Sequence, residues 1–392
     1  MRVIVVGAGI GGLTTALALR RRGIEVKVFE QAAELREIGA GVRLSSNATR
    51  LLHRLGCEAA MRAVAVRPAT STYRRWDDGR IIAREVLGEE AERRYGAPQY
   101  SFHRADLLAL LAAALPADTI HLGHRCVALQ QHPDHVELDF DNGARAGAEL
   151  VIGADGIHSM VRELSFGREA PRFSGFIAYR ALVAAERLAA VGIEMELKVW
   201  LGPGHHFVQY PISGGRYMNF VAVAPADAWR IESWTATGEV ADALREFADW
   251  HPEVRAIIGA AQGVNKTALY DRDPLPAWTA GRVALMGDAA HPMLPLMAMG
   301  AVQSIEDAVV LARCLEAVVK PDGLPTALKR YEQLRMPRAL KAQQGSRRNT
   351  VVYHLPDGEE QRRRDAGFAD LIRLRAEFYA YDAEAEFLPQ SR

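Results

Sequence analysis

The chain has 392 residues, 49% of them hydrophobic and 24% charged, a globular balance that excludes a disordered chain, a collagen-like repeat and a coiled coil and suggests two or three domains. Its 48 Lys+Arg match 48 Asp+Glu, so the net charge is zero and nothing favours nucleic acid or an anionic membrane as partner. Three widely spaced cysteines, Cys57, Cys126 and Cys314, form no disulfide framework, so a reducing, cytoplasmic setting is expected.

The first element is a short apolar strand over 2–6, ending in Gly-Ala-Gly. Helical spacing over 12–22 stops at Gly23, and a second strand covers 25–30, which makes one βαβ unit. A helix is expected over 47–55, a hairpin over 69–84 around Asp77-Asp78-Gly79, and a helix over 104–115 stopped by Pro116. A hairpin and strand follow over 136–152. Between about 175 and 265, β-branched and aromatic residues alternate with glycine-rich turns, which predicts mostly strands in a second domain, with helix returning at 240–250. A buried strand is expected at 281–286, and helix from about 304 to the end. The longest apolar stretch, 107–115, is half of what a membrane span needs, and glycines interrupt the N-terminal apolar run before it can serve as a signal peptide.

The strongest local signal is Gly7-Ala8-Gly9-Ile10-Gly11-Gly12 followed by Glu30. In a G-x-G-x-x-G turn between strand and helix, Gly7 permits the tight turn, Gly9 lets backbone approach a pyrophosphate, and Gly12 lets the helix pack on the strand. The helix N-terminus offers N–H groups to the phosphates, and Glu30 stands where a carboxylate accepts from ribose hydroxyls. A carboxylate there repels a 2′-phosphate, which favours FAD or NAD over NADP. Two further strand ends carry Gly and Asp: Gly153-Ala154-Asp155-Gly156 and Gly287-Asp288-Ala289-Ala290-His291-Pro292.

These three motifs, in this order over nearly the whole chain, resemble the single-component FAD-dependent aromatic hydroxylases with the p-hydroxybenzoate hydroxylase fold. The stretches 35–47 and 102–107, Asp273 to Trp278 and 300–307 are similar to the subgroup of salicylate hydroxylase, 3-hydroxybenzoate 6-hydroxylase and 6-hydroxynicotinate 3-monooxygenase. The resemblance implies an α/β fold. A Rossmann-like FAD-binding domain would come from 1–70, 100–172 and 268–330, a β-sheet substrate domain from 71–99 and 173–267, and a C-terminal helical segment from 331–392. It also implies FAD contacts from Gly7, Gly9, Gly12, Glu30, Gln31, Arg43, Arg104, Cys126, Asp155, Gly287, Asp288, Ala301 and Val302. The implied reaction uses NADH (or NADPH) and O2 to hydroxylate an aromatic or heteroaromatic phenol or hydroxy acid through a flavin C4a-hydroperoxide, with decarboxylation as an option. Baeyer–Villiger or epoxidising chemistry on the same scaffold, and a flavin-binding protein without turnover, stay open as alternatives. A monomer or homodimer is expected.

In the second domain His205, Phe207 and Gln209 alternate along a strand and share one face, while His206, Val208 and Tyr210 share the other. By resemblance the first face meets the substrate. His205 and Gln209 are then the catalytic candidates, with His205 taking a phenol proton, and Phe207 and Leu296 line the pocket. Arg43, Gln209 and Leu296 stand where the hydroxynicotinate-type enzymes carry His, Tyr and His, and Met299 replaces a usual Gln, which implies a more apolar pocket. The pairs His121/His124 and His132/His135 lack a cysteine or a third ligand in sequence reach, and no metal site is expected.

Overall fold

A computed structural model describes residues 1–35, 41–227, 237–318 and 321–387. Residues 36–40, part of the 35–47 stretch singled out above, lie outside that set.

One sheet of six strands runs in the order Thr279–Ala280, Val283–Leu285, Leu150–Gly153, Arg2–Val6, Glu25–Phe29, Ile120–His121. All pairs are parallel except the first. Its central strands are runs such as Val3-Ile4-Val5-Val6 and Leu150-Val151-Ile152, buried along their length. That is the pattern of strands covered on both faces. The cover includes helix Ile10–Arg20, whose Leu13, Ala16 and Leu19 are fully buried, and helix Gly300–Glu316, which packs on it. The helix sits hard on the first strand, because a Cβ at Gly12 would overlap the carbonyl oxygen of Gly7. Gly23, at φ +72°, turns the chain beyond its end.

A second sheet has eight strands, Thr237–Gly238, Val264–Asp271, Arg172–Ala184, Tyr217–Pro225, His205–Ile212, Leu197–Gly202, Thr70–Arg75 and Ile81–Val86 in spatial order. The hairpin over 70–86 joins the later strands through a parallel pairing with Leu197–Gly202. Helices Val240–Glu246 and Pro252–Gly259 cover one face, over a core of Phe207, Phe220, Phe247, Trp250 and Ile257. The opposite face carries Val199, Leu201 and Val223 and packs on Leu294, Leu296, Tyr353 and Phe368. Among the described residues there are two smaller sheets: Gly41–Leu44 with Tyr100–His103, and the antiparallel set Cys126–Gln131, Val136–Phe140, Arg145–Ala148.

The helical C-terminus is broken rather than continuous. Helix Leu324–Val352 is followed by a turn, then Glu359–Ala366 and Phe368–Ala380, with Gly358 at φ +154° in the break. Helix Pro252–Gly259 falls inside the stretch expected to be mostly strand. Its cue was Pro252 at the first helical position, with the His251 side chain accepting from the Glu253 N–H. Among the described residues no helix is long and apolar enough to cross a membrane.

Candidate functional site

The carboxyl ends of four neighbouring parallel strands, ending at Leu285, Gly153, Val6 and Phe29, open into one groove. This is where an open α/β sheet binds ligands. Gly7, Gly9, Glu30, Gln31, Arg104, Cys126, Asp155, Gly287, Asp288 and Ala301 all line it. Three expected contacts do not. Gly12 acts through packing, as described. Val302 is fully buried inside its helix. Arg43 lies on Gly41–Leu44, nearer the eight-stranded sheet, where its charge acts on Tyr210.

The turns are held by specific contacts. Gly7 has φ +104°, and a Cβ there would come 2.5 Å from the Ala154 carbonyl oxygen, so the first and second motifs touch through backbone. Glu30 accepts from the Ala8 N–H at 2.8 Å with one oxygen and from the Ala32 N–H at 2.9 Å with the other, which aims its carboxylate at the groove rim. Asp155 accepts from Ser159 Oγ at 2.5 Å and from the Val161 N–H at 3.1 Å, so it also organises its own loop. Burial raises its pKa against those bonds. Burial likewise pushes the Cys126 thiol up to about 12.

The third turn rests on a buried charge cluster that sequence reading missed. Asp307 accepts from the Gly287 N–H at 3.0 Å, from His291 Nε2 at 2.6 Å and from Arg335 Nε at 2.8 Å. Arg335 also donates to Glu306 at 2.6 Å, and Glu306 accepts from Asn47 and Arg338. Burial would raise Asp307, but His291 and Arg335 outweigh it and hold the carboxyl at about 2. Asp288 is thereby presented to the groove, where its carboxylate is exposed and within the field of Arg104.

Helices Ile10–Arg20 and Gly300–Glu316 both begin at the groove, and no side chain caps either start. Their first-turn N–H groups are donors for a ligand. A Cβ at Gly9 would meet nothing within 4 Å, so that backbone is open to close approach. Uncapped donors, an open glycine and rim carboxylates fit a dinucleotide cofactor.

The strand His205–Ile212 corrects the expected face. His205 Nε2 is 3.2 Å from Glu246, and its ring packs edge-on to Phe247. Phe207 is buried against Phe220 and Phe247, and Gln209 accepts from Trp200 Nε1 at 3.0 Å and donates to Glu253 at 3.0 Å. All three therefore lie under the helices over 240–259, on the far face from the groove. The near face carries His206, Val208 and Tyr210. A Cβ at Gly41 would come 2.6 Å from the Tyr210 ring, and the Gly41 N–H donates to Asn219 at 2.8 Å. The half-buried Arg180 stands on that near face, opposite Val221, which is itself opposite Val208. Leu296 packs against that near face with Leu294 and Tyr353. Alternation names both faces, and only packing says which is which.

The hairpin after Gln131 also differs from expectation. It brings Glu137 to His132 and His135, with donor atoms within 4.8 Å of one another, so a third candidate ligand is in reach.

Residues 1–346 match the family model described as FAD binding domain. The chain is 43% identical to 3-amino-4-hydroxybenzoate 2-monooxygenase of Streptomyces cremeus, over 93% of this chain and 91% of that protein. It is 37% identical to 6-hydroxynicotinate 3-monooxygenase of Bordetella bronchiseptica, over 89% and 91%. A solved salicylate hydroxylase substrate complex superposes with a TM-score of 0.84 at 30% identity, covering 98% of this chain and 97% of that one.

Proposed function

The chain belongs to the FAD-binding-domain family and to its aromatic-ring monooxygenases, and from that premise we propose that it hydroxylates a phenol-type aromatic acid, with NADH as reductant and O2 as oxidant. The observation that carries this reading is the groove at four parallel strand ends, with a sheet face bearing His206, Tyr210 and Arg180 on the side toward Gly41 and Arg43. Residues from 1–70, 100–172 and 268–330 would hold the cofactor, and those from 71–99 and 173–267 the ring.

In this reading Glu30 takes the adenosine ribose, the first turn of helix Ile10–Arg20 takes the pyrophosphate, and Asp288 with Arg104 takes the ribityl region. Ala301 offers its N–H at the second helix start. FAD, when bound, supplies the redox chemistry that activates O2. The chain's own task is to bind and orient the ring, exclude water and move one proton.

Arg43 and Arg180 suit a ring carboxylate, since a guanidinium matches it in charge and planar geometry. Tyr210 is a neutral hydroxyl at working pH: burial pushes it up to about 12, against the pull of Arg43 and Arg180. It can therefore donate to or accept from a ring substituent. His206 is the proton acceptor. Burial, then His354 and His205, hold it well below the usual imidazole range, so its resting form is neutral. Taking the phenolic proton raises electron density on the ring at the carbon to be attacked, and the phenolate formed beside it stabilises the imidazolium.

The test is NADH oxidation by FAD-loaded protein with and without hydroxylated aromatic acids, 3-amino-4-hydroxybenzoate and 6-hydroxynicotinate among them, with product analysis. Stimulation with a new ring hydroxyl is expected. An inserted ester oxygen or an epoxide would replace this reading with another oxygenation, and flavin-loaded protein that oxidises no NADH would remove it.

A further inference from the structure

We propose that His354 is a positioning residue that fixes the tautomer of His206 and receives a proton from it when His206 deprotonates the substrate. The inference rests on the reading of His206 as proton acceptor and adds a second residue to it.

His354 Nδ1 is 2.8 Å from the Thr350 carbonyl oxygen, which can only accept. Nδ1 of His354 is therefore the protonated nitrogen, and in the neutral ring Nε2 is the acceptor. That Nε2 is 2.6 Å from His206 Nδ1, so His206 must carry its proton on Nδ1 and its lone pair on Nε2. His206 is thus held in the one neutral tautomer whose outer nitrogen can take a proton. The partner ring is itself fixed. Phe176 stacks on it with centroids 4.4 Å apart, the His354 N–H donates to Val351 at 3.2 Å, and the Gly204 N–H donates to the His354 carbonyl at 3.0 Å.

The pair also offers somewhere for charge to go. When His206 Nε2 takes the substrate proton, its Nδ1 proton can cross the 2.6 Å gap to His354 Nε2. The O–H bond of the substrate breaks, an N–H forms on His206, another N–H breaks on His206, and one forms on His354. His206 ends neutral with its proton on Nε2, and His354 ends as imidazolium. His354 lies just past helix Leu324–Val352, and its Nδ1–H faces a carbonyl of that helix's last turn. A cation is favoured at a helix C-terminus. The charged groups that act on the pair are His205, from the same strand, and Arg364, from helix Glu359–Ala366, and both oppose protonation. Burial opposes it most, against the Thr350 carbonyl, which favours the charged ring, and holds His354 at about 4 at rest. The pair is therefore neutral until a substrate anion forms beside it, which keeps His206 competent over the neutral range.

The experiment is histidine-ring 15N NMR on FAD-loaded protein without substrate, from pH 6 to 8, with the His206 signals assigned by their loss in His206→Gln. In the wild type His206 should be protonated at Nδ1 and bare at Nε2. His354→Phe removes the acceptor and should shift His206 toward the Nε2–H form. His354→Gln, whose amide oxygen can accept from Nδ1, should keep the wild-type pattern and serves if the Phe variant folds poorly. An Nε2–H wild-type signal, or no change in His354→Phe, overturns the proposal. Turnover is read separately. His354→Phe should lower kcat by about 10-fold, with KM little changed, and His354→Gln should fall between. A tautomer shift with unchanged kcat would overturn the proton transfer and the reading of His206 as acceptor, while leaving the tautomer assignment standing.

Discussion

His205 turns its Nε2 toward Glu246, 3.2 Å away beneath the outer helices, while its chain neighbour His206 projects through the opposite face of the sheet to His354. Adjacent residues in a strand point to opposite faces, so only one of these two histidines can serve a ring on the groove side. His205→Ala is accordingly expected to keep FAD and substrate-stimulated turnover within about two-fold. His206→Ala should lower kcat by roughly 100-fold, the scale of a lost general base. Steady-state NADH oxidation with product analysis compares the two. A large loss in His205→Ala with His206→Ala unaffected would reverse the assignment.

Gly9 and Gly7 separate cofactor approach from chain packing. A Cβ at Gly9 meets no protein atom within 4 Å, so Gly9→Ala should melt normally as apoprotein and yet lose FAD. Gly7→Ala puts a Cβ 2.5 Å from the Ala154 oxygen at φ +104° and should lose both FAD and stability, by about 1–3 kcal/mol or more. Flavin absorbance at constant protein and the apoprotein melting curve give the two readouts. Full flavin content in Gly9→Ala would show that no ligand backbone passes there.

Asp288 faces the groove, and its turn is held through Asp307 rather than through its own carboxylate. Asp288→Ala should therefore leave apoprotein stability within about 0.5 kcal/mol, as for a change away from packing, and reduce FAD retention on purification. A variant that purifies with full flavin would remove Asp288 from the cofactor site.

The cluster of Asp307, His291 and Arg335 predicts an acid limb in stability. Asp307 is held at about 2 in the folded chain, below an ordinary carboxyl in the unfolded one. Its contribution, on the order of 2 kcal/mol, is present above about pH 4 and lost as pH falls toward 2. Asp307→Asn should be less stable at pH 6 and show a flatter loss from pH 4 to 2 in urea titrations of the apoprotein. Arg335→Met leaves two buried carboxylates without their central partner and should cost roughly 3–5 kcal/mol. Equal acid slopes in wild type and Asp307→Asn would refute the linkage.

What the sequence by itself determined was local. A strand, a Gly-Ala-Gly turn and a helix are written in adjacent residues, because a tight turn and a close helix approach can be made only by glycine at Gly7 and Gly12. The order of three such motifs along the chain also placed most of the groove's lining, from Glu30 to Asp288. The tertiary structure alone decided what depends on partners far apart in the chain. The strand over 205–212 is mixed on both faces, with His205, Phe207 and Gln209 on one and His206, Val208 and Tyr210 on the other, so its pattern carries no sign for inside. The helices over 240–259 claimed the first face, and a choice between two parities moves every side chain at once. The Asp307–Arg335 pair and the His206–His354 pair were equally invisible, since residues separated by 28 and 148 positions meet only after the C-terminal helix has folded back over both sheets.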